Sequence, residues 1–277
     1  MRSLYYPQFG FKLARELEVS PFGNLQIVRH RLINGKIKTL TLKKSPSGKW
    51  FAIFCAEIGA PAPKQNTSGK IGIDLGLLSF ATLSNGEKIP NNRFLKKYGQ
   101  KLAFLQRMLS RKTKGSRNRN KARMQVARIH EKTANARLDF LHKAANSVLS
   151  NYSFIAMEKL QPQKMSMQKY GKSIYDASWS IFASILCYKA QEAGSKVVFA
   201  NPENTSKECS TCGTIVGKSL LDRVHICPAC GLSLDRDTNA AINILKRATA
   251  GIAGSNASGE AILMASRMEE ARALRRG

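Results

Sequence analysis

The chain opens with short alternating runs. "LQIVRHRLI", "KIKTLTL" and "KWFAIFCAEI" set apolar against polar positions across residues 25–58, with the turn signals "NG" and "SPSG" between them. This is the pattern of half-buried strands joined by tight turns, and it predicts a small, basic antiparallel barrel or sheet over residues 1–62. "GAPAPKQNTSG" then breaks the alternation, and its Pro, Gly and Ser content places a linker at residues 63–69. Beyond it the pattern changes. "KIGIDLG", "LLSFATL" and, after the turn "SNG", "EKIP" predict three antiparallel strands. Residues 94–150 carry apolar positions at helical spacing, interrupted at "KTKGS". "SFIAMEKL" is a nearly continuous apolar run, as a strand covered on both faces requires. A loop rich in Gln, Met and Gly (161–175) leads into the helix "DASWSIFASILCYKAQEAG", with Asp176 as its N-cap and Gly194 as its stop. "KVVFAN" reads as a further buried strand and "TNAAINILKRA" as a last helix, followed from residue 248 by a Gly/Ala/Ser-rich tail.

Three antiparallel strands, then helix, strand, helix, strand and helix, predict a mixed α/β sheet flanked by helices. That is the order of an RNase H-like fold.

Charge narrows the partners. With 45 Lys+Arg against 18 Asp+Glu the net charge is +27, far beyond what keeps a chain dispersed, and it points to a polyanion, nucleic acid first. No run approaches the roughly 20 apolar residues of a membrane span, and "MRSLYYPQFG" has no apolar leader core, so the expected setting is the cytoplasm, in association with the nucleoid. Two of the six cysteines, Cys55 and Cys187, lie in apolar segments and read as buried thiols. Disulfides are not expected in a reducing compartment.

The other four form two pairs. Cys209-x2-Cys212 and Cys227-x2-Cys230 are fourteen residues apart, and each pair is followed by a glycine, Gly213 or Gly231, that lets the backbone fold around a metal. Four thiolates favour tetrahedral Zn²⁺ with no open position, a structural site. His225 adjoins Cys227 but is not needed to complete that shell.

Carboxylates are scarce, so one that ends an apolar strand needs a reason. Asp74 follows "IGI" and Glu158 follows "FIAM". Asp235 and Asp237 precede the last helix, where an aspartate is also a common N-cap. Carboxylates brought from a first strand, a later strand and a C-terminal helix can share one sheet edge and hold two Mg²⁺ for phosphodiester hydrolysis. Residues 96–132 add thirteen Lys/Arg against the single acid Glu131, with Leu102, Leu105 and Leu109 at helical spacing for one packed side. Arg111, Lys112, Lys114, Arg117, Arg119, Lys121 and Arg123 are the expected phosphate contacts.

With these pieces in place, the chain resembles the TnpB family, the transposon-encoded OrfB proteins related to the type V CRISPR effector nucleases. The resemblance runs from "YYPQFGFKL" to "NILKRA", through "GIDLG", "RKTKGSRNRNKAR", "HEKTANARLDFLHK", "AMEKL", "TSKECSTCG", "CPACG" and "DRDTNAAINIL". It implies a partial wedge-like β-domain over residues 1–62, an RNase H-like RuvC domain beginning at 70–206, a zinc ribbon inserted at 207–233, a last RuvC helix at 234–247 and a flexible tail at 248–277. It implies Asp74, Glu158 and Asp237 as the catalytic acids, selecting Asp237 over Asp235 because the acid directly precedes the x-N-A-A run. It further implies Zn²⁺ and Mg²⁺ as cofactors, DNA and a guide RNA as partners, and RNA-guided DNA cleavage as the activity. Similar proteins carry a helical recognition segment ahead of the point matching "YYPQ", so the expected chain is N-terminally truncated. Two other readings stay open: a nucleic-acid-binding remnant that does not cut efficiently, and a DNA transposase or recombinase, since RNase H-like folds also support strand transfer.

Overall fold

A computed structural model describes residues 3–59, 69–160, 171–219 and 221–254, the last three without their side chains. It is a mixed α/β protein whose chain divides into two compact units, Met1–Ala62 with Phe94–Asp139, and Pro63–Arg93 with Phe140–Gly277.

In the first unit, β1 (Ser3–Pro7), β5 (Lys36–Lys44) and β6 (Trp50–Glu57) form one antiparallel sheet, and β2 (Phe11–Leu13), β3 (Leu17–Val19) and β4 (Gly23–Leu25) form another. Leu17, Val19, Leu40 and Leu42 are their shared core. The strand expected over "LQIVRHRLI" does not form: only its first residue, Leu25, is in a strand, as the end of β4, and Val28 and Leu32 find no cover and are 81% and 88% exposed. Cys55 is exposed as well, which corrects its reading as a buried thiol: it lies on the outward face of the edge strand β6, where burial alternates. Cys187 is only half-buried.

The long helical stretch breaks where the sequence says, into α1 (Phe94–Ser110) and α2 (Arg117–Asn151). Gly115, at φ 83°, turns the chain between them. No residue of α1 is fully buried, and Leu102, Leu105 and Leu109 are each half-covered. Lys132 sits 5.5 Å from the Tyr98 ring centre and ties α2 back to α1.

The second unit is built on a five-stranded sheet in the order β11-β10-β7-β8-β9. β7 (Lys70–Leu75), β8 (Ser79–Leu83) and β9 (Lys88–Pro90) run antiparallel, while β10 (Phe154–Glu158) lies parallel to both β7 and β11 (Lys196–Ala200). Period-two alternation sends Ile71, Ile73, Leu75, Ile155 and Met157 to one face. There they pack with Leu141, Ala145 and Val148 of α2 and with Trp179, Phe182 and Leu186 of the following helices. The opposite face presents Ala156 and Ala200 to Ile244 and Ala248 of the last helix, α5 (Arg236–Gly254).

Two boundaries differ from the sequence reading. The helix expected from Asp176 is two helices, α3 (Gly171–Ala177) and α4 (Trp179–Ala193), separated by Ser178 in the left-handed region at φ 55°. Asp176 is therefore buried inside α3 and is not the N-cap, whereas Gly194 does close α4, its N–H donating to the Ala190 carbonyl. Residues 171–175 of the expected loop belong to α3, and 161–170 lie outside the described residues. The last helix continues past residue 247 to Gly254, with Ala248 buried.

Candidate functional site

Asp74 and Glu158 meet by register. In the parallel pair β7–β10, Ala156 stands opposite Gly72 and Met157 opposite Ile73. One step further along that register sets Glu158 beside Asp74, on neighbouring strands about 4.8 Å apart. Both side chains share the face of Gly72 and Ala156, the face covered by α5. Asp237 lies in the first turn of α5, four residues and one helical turn before Ala241, which packs on Gly72. Strand, strand and helix thus each bring one acid to the same end of the sheet.

The electrostatics register this meeting. Burial first, and then the Glu158 and Asp237 charges, push the Asp74 carboxyl well above its ordinary range. Burial also raises Glu158, against the opposing hydrogen bond from Thr205 and the charge of Arg247. Asp235 is held by partners of its own. Asp235 Oδ1 caps α5, accepting from the backbone N–H of Asp237 at 3.2 Å and of Thr238 at 3.0 Å, and its Oδ2 pairs with Lys88 at 2.8 Å. Both oxygens are committed to the scaffold.

The four cysteines converge. Their sulfurs all lie within 4.8 Å of one another, with Cys209–Cys230 and Cys212–Cys227 at 3.6 Å. A tetrahedron with Zn–S bonds of about 2.3 Å has sulfurs about 3.8 Å apart, so the spacing fits zinc and is far too long for a disulfide. The two knuckles repeat one backbone pattern: Gly213 N–H donates to the Cys209 carbonyl at 3.0 Å, and Gly231 N–H to that of Cys227 at 2.9 Å. Both glycines are left-handed, at φ 77° and 74°. Hydrogen bonds at Thr214 hold the Cys212 thiol down at about 6. Against a backbone hydrogen bond at Leu232, burial and the neighbouring sulfurs push Cys230 up to about 12. Four sulfurs so close cannot share four negative charges without a cation. His225 is fully buried beside the cluster on β12 (Val224–Ile226), its Nδ1 against Lys218, and is not one of the ligands. Among the described residues only these cysteines gather three or more donor atoms at metal-binding spacing.

One polar set on α5 was not read from the sequence. Asn239, Asn243, Lys246 and Arg247 follow i, i+4, i+7, i+8 spacing on a helix whose other positions are largely apolar. Asn239 and Asn243 both donate to the Glu208 carbonyl at 2.7 Å, and Lys246 donates to that of Ser210. Arg247 pairs with the Glu208 carboxylate and donates to the Asn201 carbonyl at 3.2 Å. The segment entering the first cysteine knuckle is thereby fastened to the helix that carries Asp237. Buried asparagines at this spacing were the signal available in "TNAAINILKR".

Of the seven expected phosphate contacts, Arg111, Lys114, Arg117, Lys121 and Arg123 are exposed and Lys112 is half-buried. Arg119 turns inward, its Nη1 donating to the carbonyls of Leu109 and Lys112 at 3.1 and 3.0 Å, where it closes the end of α1. Glu131, the one acid of the run, is taken by Lys49 at 3.1 Å.

A family model described as "Probable transposase" matches residues 53–168, and one described as "Cas12f1-like, TNB domain" matches residues 179–244, the span holding all four cysteines and Asp237. A Streptomyces pristinaespiralis protein named "Putative RNA-guided DNA endonuclease" is 39% identical over 220 residues, covering 78% of this chain and 54% of the relative. The chain belongs to the TnpB family. The InsQ protein of Escherichia coli K12, which bears the same description, is 31% identical over 260 residues, with 87% of this chain and 64% of InsQ covered. A TnpB-like protein of Acanthamoeba polyphaga mimivirus is 25% identical over 227 residues, 76% of this chain and 43% of the relative. This chain therefore spans 43–64% of the length of these relatives. Among solved structures, that of a Cas12f1–sgRNA–target DNA complex shares the fold at a TM-score of 0.52 and 18% identity, over 76% of this chain and 45% of that one.

Proposed function

We propose that this chain is a Mg²⁺-dependent, RNA-guided DNA endonuclease with an RNase H-like RuvC domain, in which Asp74, Glu158 and Asp237 hold the catalytic metal. The observation that carries the reading is the convergence of those acids: matching register positions on β7 and β10, the first turn of α5 above them, and an Asp74 carboxyl raised by burial and by both partners. The sheet order, three antiparallel strands with two parallel ones added at the β7 edge, supports the RNase H-like assignment. Mg²⁺ bound there would activate water and stabilise the leaving oxygen of a DNA phosphodiester. The chain's own residues prepare the site. Gly72 lets α5 approach, Asp235 and Lys88 fix the start of the helix, and α5 and the sheet leave Asp74 half-buried. Zn²⁺ at Cys209, Cys212, Cys227 and Cys230 has a structural role, holding the ribbon against α5. The exposed bases of residues 111–123 meet phosphates and position nucleic acid without reading its sequence.

Binding without cutting is favoured by one observation, that the three acids do not gather their oxygens at metal spacing as the cysteines do. Sequencing the RNA that co-purifies with the protein, then offering duplex DNA matched to it, separates the two. Guided cutting that needs both Mg²⁺ and a matched target supports the endonuclease. Retention of matched DNA without cutting supports the binding role.

A further inference from the structure

Thr205 lies in the segment between β11 and the first cysteine pair, 3% exposed and tethered at both ends. Its hydroxyl donates to Glu158 Oε1, and its carbonyl accepts from Asn243 Nδ2 at 3.0 Å. The hydroxyl has one proton to give. The Pro202 carbonyl, at 3.3 Å, is the weaker competitor, because an ionised carboxylate makes the stronger acceptor.

The path continues to the cysteines. Asn243 Nδ2 also reaches the Glu208 carbonyl at 2.7 Å, where Asn239 Nδ2 donates at the same distance. Asn239 Oδ1 in turn takes the Ser210 N–H at 2.9 Å. Glu208 and Ser210 flank Cys209. Asn239, Asn243 and Thr205 are all buried, so the chain of hydrogen bonds from Cys209 to Glu158 runs in a low-dielectric interior where a misplaced partner is costly.

We propose that Thr205 is a positioning residue for Glu158, and that the metal-bound ribbon sets where this carboxylate points through Glu208, Asn243 and Thr205. The inference rests on Glu158 holding the catalytic metal. Glu158 is the last residue of β10, paired with Ala200 of β11, and its long side chain has several rotamers open to it. A hydroxyl on Oε1 supplies that restraint and leaves Oε2 for a cation. Arg247 adds charge near Glu158 but not direction, since its guanidinium is committed to the Asn201 and Glu203 carbonyls and the Glu208 carboxylate. Carboxylates and hydroxyls that orient a metal ligand are typically worth 10–100-fold in affinity.

The test is a Mn²⁺ titration of the full, zinc-loaded chain, followed by the electron paramagnetic resonance signal of free Mn²⁺, on wild type, Glu158→Ala, Thr205→Val and Thr205→Ser. Glu158→Ala should lose the tight site. Thr205→Val, which keeps the shape and removes the donor, should weaken it by about 10-fold with zinc content unchanged, and Thr205→Ser should restore it. Wild-type affinity in Thr205→Val, with the site lost in Glu158→Ala, overturns the positioning role and leaves the acid site standing. An unchanged site in Glu158→Ala overturns the acid site and this inference together. Wild-type protein stripped of zinc by a mercurial needs no substitution and reads the ribbon's part. With stripped Glu158→Ala as the blank, its Glu158-dependent affinity should fall by a similar factor, and an unchanged value overturns the coupling.

Discussion

A Cβ placed on Gly72 would stand 2.0 Å from the carbonyl oxygen of Ala241, so β7 and α5 touch backbone to backbone. The acids follow from this contact, because Asp74 is two residues beyond Gly72 on the same strand face and Asp237 one turn before Ala241. Gly72→Ala must move the helix. The expected outcome is a loss of about 1–3 kcal/mol in unfolding free energy, read by denaturant titration, with zinc content retained and metal-dependent cutting reduced.

Zinc should be present at one ion per chain, and Cys209→Ser or Cys227→Ser should release it. Because Asn239, Asn243, Lys246 and Arg247 fasten the ribbon's entry to α5, zinc loss should raise hydrogen exchange in residues 201–250 while the two sheets of the first unit keep their protection. Elemental analysis of folded protein finding no stoichiometric zinc would contradict the cysteine assignment.

Asp74 makes stability depend on pH in a definite direction. Its carboxyl is raised in the folded state by burial and then by Glu158 and Asp237, so the native protein binds that proton more tightly than the unfolded chain. The stabilisation is fully present below the unfolded value near 3.8 and is lost as pH rises through the higher folded value. In magnesium-free, zinc-loaded protein, Asp74→Asn should therefore unfold at a higher temperature than wild type at neutral pH, and the difference should vanish at the acid end of the window. A neutral-pH melting temperature no higher than wild type's would show that Asp74 is not strained.

Nucleic-acid affinity should fall steeply with salt, by about 0.9 in log–log slope for each duplex phosphate neutralised. Reversing Arg111, Lys114, Arg117 and Lys121 should flatten the slope. Arg119→Glu should instead loosen the α1–α2 junction that its Nη1 closes, seen as lower helix stability rather than as a changed slope alone.

Much of this was legible in the chain, and the rest was hidden for physical reasons. The strands carrying Asp74 and Glu158, the break at residues 111–116 and the cysteine knuckles all follow local patterns of period, turn residue and spacing. Spacing alone left Asp235 and Asp237 as equals, because capping is a local role and catalysis is not. The partners of Asp235, Lys88 and Thr238, are what separate them, and Lys88 is 147 residues away in sequence. Gly72 is silent in sequence because nothing local requires glycine there; the requirement is set by Ala241 of α5, packed on the sheet. The break at Ser178 was missed since serine in the left-handed region carries no sequence mark. "LQIVRHRLI" misled through its own alternation, which only becomes a strand where another surface covers its apolar side.

Asp74, Glu158 and Asp237 are proposed to act as one metal-dependent nuclease site. The most direct measurement follows Mg²⁺-dependent DNA cleavage and DNA affinity side by side, with the co-purified RNA present, for wild type, Asp74→Ala, Glu158→Ala, Asp237→Ala and Asp235→Ala. Each of the first three substitutions should lower the cleavage rate by at least about 100-fold at nearly unchanged affinity. Asp235→Ala should keep most of the rate and lose stability instead, by about 1 kcal/mol as a missing N-cap does. Equal cutting by wild type and the three acid variants, or a loss confined to Asp235→Ala, would contradict the shared site.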